Sequence, residues 1–212
     1  MDINKNTLPE LTILIIMTLL CCGCPKPCPM GTDYDFQAYM TISPGKGSFE
    51  VGDTIFFNSI VSSKMNDLHS DRLIPFDGAL NFGTTLRIGR LKYTSDTIID
   101  AVQSFEYYPI LGKLYTNSKL APNRVKQLLY IEQNDNYILE FGLITKDTGV
   151  YVVSIGNAIN VTLKKKNDCE RANIEITFGN EDKHLNYLQA LYYKDQPITE
   201  ADKTHVYCFV VK

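Results

Sequence analysis

The pattern of hydrophobic and polar positions beyond residue 36 is typical of β-structure. Tyr137, Leu139, Phe141 and Leu143 stand at alternate positions and fall on one side of the chain. Alternation with a period of two gives a strand one buried and one exposed face. Similar segments, rich in β-branched and aromatic residues, lie between turn residues. We predict strands at 36–43, 54–61, 85–91, 98–107, 125–132, 137–144, 149–155 and 158–164.

The connections between these segments carry turn residues. Asn134, Asp135 and Asn136 predict a hairpin, because Asn and Asp tolerate positive φ angles. Residues 62–83 are polar and contain proline and glycine, so we predict a long loop there.

The C-terminal part has a different pattern. Residues 174–178 alternate as a half-buried strand, Asn180 is placed to cap a helix over 181–193, and residues 205–211 predict a last strand. Thr199 is placed to begin a short helical turn before that strand. A unit of this size is too small to be stable alone, so we expect it to pack on the preceding strands.

The segment 147–153 resembles the corner of immunoglobulin-like domains, on Asp147, Gly149 and Tyr151. In that corner the glycine permits a tight entry and the tyrosine hydroxyl bonds back to the corner backbone. Val153 stands where the inter-sheet cysteine would be. The resemblance implies a mainly β protein: an Ig-like antiparallel β-sandwich over 36–165, with a small C-terminal strand–helix–strand extension over 166–212 packed on it.

The start of the chain is a short continuous apolar run. It covers residues 11–22 and is followed by Gly23, Cys24 and Pro25. A membrane-spanning helix needs roughly 20 apolar residues, so this run is too short to span and has the length of a signal peptide core. With Leu19 in place, the pattern resembles a bacterial lipoprotein signal peptide.

The resemblance implies that residues 1–23 are removed and that lipid is attached to the Cys24 sulfur, because cleavage precedes that cysteine. Several acyl chains on one residue give stable membrane attachment. Pro25 replaces the aspartate that retains such proteins at the inner membrane, which favours the outer membrane. Cys22, with Leu19 three residues before it, is a second candidate for the lipid. The apolar run could also be a signal that an ordinary peptidase cuts, or an uncleaved amphipathic anchor.

The residues directly after the lipid site predict a tether. Residues 24–35 are rich in proline and would hold the folded part away from the membrane.

The net charge is −3, and the only basic run, at 164–166, has acidic neighbours. A nucleic-acid surface needs clustered positive charge, so we predict no nucleic-acid partner.

Three cysteines remain beyond the lipid site, in a compartment where disulfides persist. We predict a bridge between Cys169 and Cys208, which lie in segments that can fold together. Two buried free thiols are the alternative, since an unpaired cysteine behaves as a small hydrophobe. Cys28 lies in the tether and is expected to be unpaired. These three cysteines form no CxxC pair, so zinc binding is not expected.

Known catalytic signatures are absent from the sequence. There is no GxSxG, HExxH, P-loop or GxGxxG, so we predict no catalytic residue and no cofactor. Asp67, His69 and Asp71 alternate and would suit a metal ion if the segment were extended, but a solvated loop is favoured and no metal is predicted. The pairs at 107–108 and 192–193 are tyrosines that could stack on sugars or partner proteins, or belong to the core.

The signal peptide, the corner and the cysteine-containing C-terminal part together are similar to envelope lipoproteins of Bacteroidota. The phrases VGDTIF at 51–56 and YCFVV at 207–211 add to this similarity. The resemblance implies no particular activity. Our leading hypothesis is a non-catalytic, outer-membrane lipoprotein that binds a partner or serves envelope assembly. The alternative is a cell-surface module that captures a carbohydrate or a protein, and an enzyme is the third possibility.

Overall fold

The computed structural model describes residues 33–93, 95–115, 124–163 and 170–212. The predictions for the signal peptide, for Cys22, Cys24 and Cys28 and for Cys169 lie outside these residues and stay predictions. No helix in the described part of the chain is long and apolar enough to cross a membrane.

The described residues are mainly β-strand. In chain order the strands are β1 (Asp33–Ser43), β2 (Ser48–Phe49), β3 (Thr54–Ser62), β4 (Lys64–Asn66), β5 (Leu73–Pro75), β6 (Ala79–Leu80), β7 (Gly83–Lys92), β8 (Ser95–Asp100), β9 (Phe105–Leu111), β10 (Lys113–Tyr115), β11 (Lys126–Leu129), β12 (Ile131–Gln133), β13 (Asn136–Thr145), β14 (Gly149–Ile155), β15 (Ala158–Leu163), β16 (Arg171–Phe178) and β17 (Val206–Val211).

These strands form two large sheets. The first sheet has the order β12-β13-β3-β1-β16-β15-β6, with β9 also paired to β13. The second has the order β10-β11-β7-β14-β17-β2, with β8 also paired to β7. Strands β4 and β5 form a separate small hairpin.

The main core lies between the inner faces of the two sheets. In β13 the predicted alternation is confirmed, because Tyr137, Leu139, Phe141 and Leu143 are all buried. Side chains of β14 and β17 belong to the same buried cluster. The mainly β sandwich predicted from the sequence is therefore confirmed.

The C-terminal strand–helix–strand segment is present, and its two strands belong to the two sheets. Strand β16 lies between β1 and β15 in the first sheet, and β17 lies between β14 and β2 in the second. The β1–β16 and β17–β2 pairs are parallel, whereas the other strand pairs of the described residues are antiparallel. This segment completes both sheets rather than packing on a finished sandwich, because each of its strands is hydrogen-bonded on both sides.

The segment between β16 and β17 contains an α-helical turn (Asn186–Leu188), a π-helix (Gln189–Tyr193) and an α-helix (Glu200–His205). The cap predicted at Asn180 is wrong. Its side chain instead accepts from Ile42 N at 2.8 Å and donates to Ile42 O at 2.9 Å, which ties it to the end of β1. The start predicted at Thr199 is confirmed, since its hydroxyl accepts from Asp202 N at 3.1 Å.

Several strand boundaries differ from the prediction. The strand predicted at 98–107 is interrupted by a 3-10 helix, Val102–Ser104, whose Val102 is buried. The predicted loop at 62–83 contains β4, β5 and β6. Residues 33–35, assigned to the tether, belong to β1 because they pair with β16 from Arg171 onward.

The hairpin predicted around Asn134 is confirmed. Asn134 and Asp135 have φ angles of 51° and 59°, and Gln133 pairs with Asn136. A two-residue loop with positive φ at both positions matches the right-handed twist of the strands that it joins.

The second sheet is covered on both faces. Its outer face contributes Leu91, Val152 and Cys208 to a second buried cluster, which the helical segment covers with Leu188. This double burial explains why β14 and β17 are nearly continuous apolar runs in the sequence.

Candidate ligand-binding cleft

The helical segment covers the outer face of the second sheet incompletely and leaves an open cleft of about 370 Å³. We call it the helix-side cleft. Its size lies within the roughly 300–1,000 Å³ range of small-molecule sites. It is lined by Arg87, Ile88, Gly89, Ile98, Asp100, Val152, Ser154, Leu188, Tyr192, Tyr193, Asp202 and Val206.

The sheet side of the cleft exists because β7 has a glycine at its centre. Gly89 pairs with Asp100 of β8 and with Val152 of β14. A Cβ atom at Gly89 would lie 2.1 Å from Ile98 Cγ2 and 3.1 Å from Val152 Cγ1. Because Gly89 has no side chain, Ile98 of β8 can lie over β7. Ile98 then contributes an apolar floor to the cleft.

The helical side of the cleft is built by the π-helix. Lys194 N donates to Gln189 O at 2.7 Å, an i→i+5 bond, and Lys194 has a φ of 53°. The Gln189 side chain donates to Lys194 O at 2.6 Å and to Gln196 O at 2.9 Å. This segment places Tyr192 and Tyr193 side by side, with ring centroids 5.2 Å apart and perpendicular. π-Helices are rare and frequently occur at functional sites.

Tyr193 and Tyr192 have different environments. Tyr193 packs against the outer-face cluster, and its hydroxyl donates to Asp202 Oδ2. That bond to the carboxylate raises the pKa of Tyr193. Thr199 Oγ1 also donates to Asp202 Oδ2, at 2.8 Å. Tyr192 remains 37% exposed and lines the cleft.

Charged groups lie along the rim of the cleft. Asp100 Oδ2 forms an ion pair with Arg124 Nε at 2.9 Å. Arg87 is exposed, lies opposite Ser154 in the β7–β14 pair, and makes no ion pair or side-chain hydrogen bond with a described residue. The cleft therefore combines apolar residues, a partly exposed aromatic residue, two carboxylates and a guanidinium group that has no side-chain partner among the described residues.

The predicted corner lies away from this cleft, at the inner face of the second sheet. Tyr151 is buried, and its hydroxyl donates to Asp147 O at 3.0 Å, which is the bond expected from the resemblance. Gly149 has a φ of 151°, and a Cβ there would lie 2.6 Å from Arg90 Nε. Asp147, Gly149 and Tyr151 therefore have a structural role at the start of β14.

Cys208 is buried on the outer face of the second sheet and forms no disulfide with a residue that the structure describes. In its reduced form the thiol is neutral at neutral pH, because burial raises the pKa of Cys208 to about 12. Its predicted partner, Cys169, lies outside the described residues, so the bridge stays a prediction.

Asp67, His69 and Asp71 do not converge. Asp67 Oδ2 accepts from Ser70 N at 3.0 Å and from Ser70 Oγ at 2.6 Å, and these bonds lower the pKa of Asp67. His69 Nε2 lies 2.5 Å from Asp35 Oδ2 instead. Among the described residues no group of three or more His, Cys, Asp or Glu side chains is arranged to hold a metal ion.

The sequence pointed to the tyrosine pair at 192–193 but not to its surroundings. Arg87, Asp100 and Asp202 lie on three separate elements, and no motif links them, although Asp202 belongs with Thr199 to the predicted helix start. The only available signal was Gly89 inside an otherwise regular strand, since such a glycine indicates a close approach. In the other predicted tyrosine pair, at 107–108, the Tyr107 hydroxyl donates a hydrogen bond to Val102 O at 2.8 Å.

Comparison with known proteins identifies no relative by sequence. No family model matches the chain, and no curated protein matches it. Among solved structures, the reeler domain of human F-spondin is 9% identical with a TM-score of 0.38, covering 89% of this chain and all of the domain. The second type II cohesin module of the ScaA scaffoldin from Acetivibrio cellulolyticus is 14% identical with a TM-score of 0.24, covering 56% of this chain and 70% of the module.

Proposed function

We propose that this protein is a lipid-anchored, non-catalytic binding protein of the outer membrane that captures a small saccharide in the helix-side cleft. The observation that carries the proposal is that the cleft is lined by the 37% exposed Tyr192 together with apolar residues and hydrogen-bonding groups. Ligand sites typically combine such a surface with a few polar groups that fix orientation. A pyranose ring offers the matching chemistry, because it has an apolar face and a girdle of hydroxyl groups.

The carboxylates of the cleft suit binding rather than hydrolysis. A glycosidase needs one carboxyl group that donates a proton to the leaving oxygen. Here Asp202 accepts bonds from two hydroxyl groups, and Asp100 is paired with Arg124. Both groups therefore serve as acceptors for ligand hydroxyls.

The test uses the full-length protein purified in detergent and a panel of neutral and acidic mono- and disaccharides. We expect saturable binding by calorimetry, with affinity lowered about ten-fold or more in Tyr192→Ala, since stacking on an aromatic ring is lost. Tyr108→Ala is the matched control, because Tyr108 is 59% exposed and lies outside the cleft. Equal affinity in both variants, or no binding to any sugar, would overturn the proposal. Release of monosaccharide from the disaccharides would show that the protein is an enzyme.

We also propose that Cys24 carries the anchor, on the strength of the signal-peptide resemblance. The Cys24→Ala variant should leave the outer-membrane fraction, whereas Cys22→Ala should remain in it. Full membrane partition of Cys24→Ala would contradict the assignment.

The bridge between Cys169 and Cys208 belongs to the same proposal, because an exported protein folds under oxidising conditions. Mass spectrometry after unfolding without reductant should find both cysteines protected from alkylation. Modification of both would establish that the two thiols are free.

A second candidate function, envelope assembly, is favoured by a groove on the outer face of the first sheet. Tyr39, Ile60 and Leu68 line it and are 54%, 60% and 54% exposed. Among the described residues that line it, Lys64 is the only charged one, so a partner protein with an apolar contact surface would fit this groove. The test is co-purification with an envelope protein. Loss of that protein in Ile60→Asp, but not in Tyr192→Ala, would support this role. If Ile60→Asp still co-purifies with the protein, this surface is excluded.

A further inference from the structure

We infer that the helix-side cleft selects an anionic sugar, one that carries a carboxylate beside its hydroxyl groups, as in a uronic acid. This inference rests on the proposed function and specifies its ligand. It starts from the charged groups of the cleft: Asp100 is ion-paired and Asp202 accepts from two hydroxyl groups, whereas Arg87 has no side-chain partner among the described residues.

The group without a partner among the described residues is Arg87. The Asp100 carboxylate is held by Arg124, and Asp202 Oδ2 is held by two hydroxyl groups. In the described part of the chain, Arg87 has neither an ion-pair partner nor a side-chain hydrogen bond. A guanidinium group presents a planar fork of donors that matches a carboxylate in bidentate geometry.

The neighbouring acceptors suit the rest of a sugar. Asp202 Oδ1 accepts no hydrogen bond from a described residue, so it is available to a ligand hydroxyl. Asp202 cannot swing away, because its other oxygen is fixed by Tyr193 and Thr199. A ligand with a carboxylate and a hydroxyl group can therefore satisfy Arg87 and Asp202 at the same time.

The aromatic surface favours a sugar over a peptide. The partly exposed Tyr192 lines the same cleft as Arg87 and Asp202, and Ile98 and Leu188 add apolar lining. A flat, rigid pyranose can lie against the ring with little loss of conformational entropy, whereas a peptide would lose more on ordering. A neutral sugar would use the same surface but leave Arg87 unpaired.

The experiment compares galacturonate and glucuronate with galactose and glucose, and includes a dipeptide, on the full-length protein in detergent. We expect tighter binding of the uronates, and a loss of about ten- to hundred-fold for them in Arg87→Gln, as for a hydrogen bond to a charged group. The affinity for the neutral sugars should not change in this variant. Arg72→Gln is the matched control, since Arg72 is exposed and lies outside the cleft.

The outcomes separate this inference from the proposed function. Equal affinities for uronates and neutral sugars, with no effect of Arg87→Gln, would overturn the anionic specificity but leave sugar capture standing. Preferential binding of the dipeptide, or no binding of any sugar, would overturn both. Uronate binding that weakens with added salt in the wild type, but not in Arg87→Gln, would support the inference.

Discussion

Tyr151 shows how one side chain fixes the start of a strand. Its ring lies in the core against Phe105 and Phe209, and its hydroxyl reaches back to Asp147 O. The sequence could predict this residue because the bond is local and needs only the spacing of Asp147, Gly149 and Tyr151.

We expect Tyr151→Phe to lower the free energy of unfolding by about 1 kcal/mol, because a buried hydrogen bond is lost without a change in volume. Chemical denaturation measures the difference. Tyr108→Phe, on an exposed tyrosine, should leave the midpoint unchanged. A Tyr151→Phe midpoint equal to that of the wild type would show that the corner bond does not contribute to stability.

Asp67 makes stability depend on pH. Its bonds from Ser70 and from Asp35 N favour the ionised form, so its pKa in the folded protein lies below the ordinary value of 3.8. On acidification, the unfolded chain protonates this carboxyl group at a higher pH than the folded protein does. The stabilisation of the folded state by ionised Asp67 is therefore present at neutral pH and is lost as the pH falls through the folded-state pKa.

We therefore expect Asp67→Asn to be less stable than the wild type at pH 7, with the difference shrinking below about pH 4. Thermal unfolding over pH 3–7 measures it. A difference that stays constant with pH would refute the role given to the Asp67 carboxylate.

At the scale of elements, regular strands could be predicted and irregular ones could not. The alternation in β13 follows from burial of a single face, and Asn134 and Asp135 mark its hairpin locally. The split between β8 and β9 was not predictable, because Val102 is buried in the turn and looks like a strand residue. The helix after Asn180 was misplaced because the sequence does not reveal that this side chain binds the distant backbone of Ile42.

Gly89 is the element-scale feature on which the cleft depends. We expect Gly89→Ala to displace β8 and lower the free energy of unfolding by roughly 1–3 kcal/mol, since its Cβ would overlap Ile98. Unfolding curves measure the loss, and adding Ile98→Ala should recover part of it. Gly179→Ala is the control, because a Cβ there meets its nearest atoms at 3.5 Å. Equal stability of Gly89→Ala and Gly179→Ala would show that a Cβ atom at position 89 does not clash with Ile98 of β8.

At the scale of the whole molecule, the sandwich could be predicted but the cleft could not. Its rim combines β7, β8 and the two helices before β17, and only tertiary packing brings Arg87, Asp100, Tyr192 and Asp202 together. The sequence also did not show that the C-terminal segment supplies a strand to each sheet. That arrangement is what holds the π-helix over the outer face of the second sheet.

The most direct test of sugar capture in the helix-side cleft uses the absence of tryptophan from the chain. Tyr192→Trp places a single tryptophan at the opening of the cleft, and Tyr108→Trp places one on an exposed surface outside it. On titration of the full-length protein with galacturonate and galactose, we expect a saturable change in tryptophan emission for Tyr192→Trp and none for Tyr108→Trp. No change at position 192, or equal changes at both positions, would contradict the account.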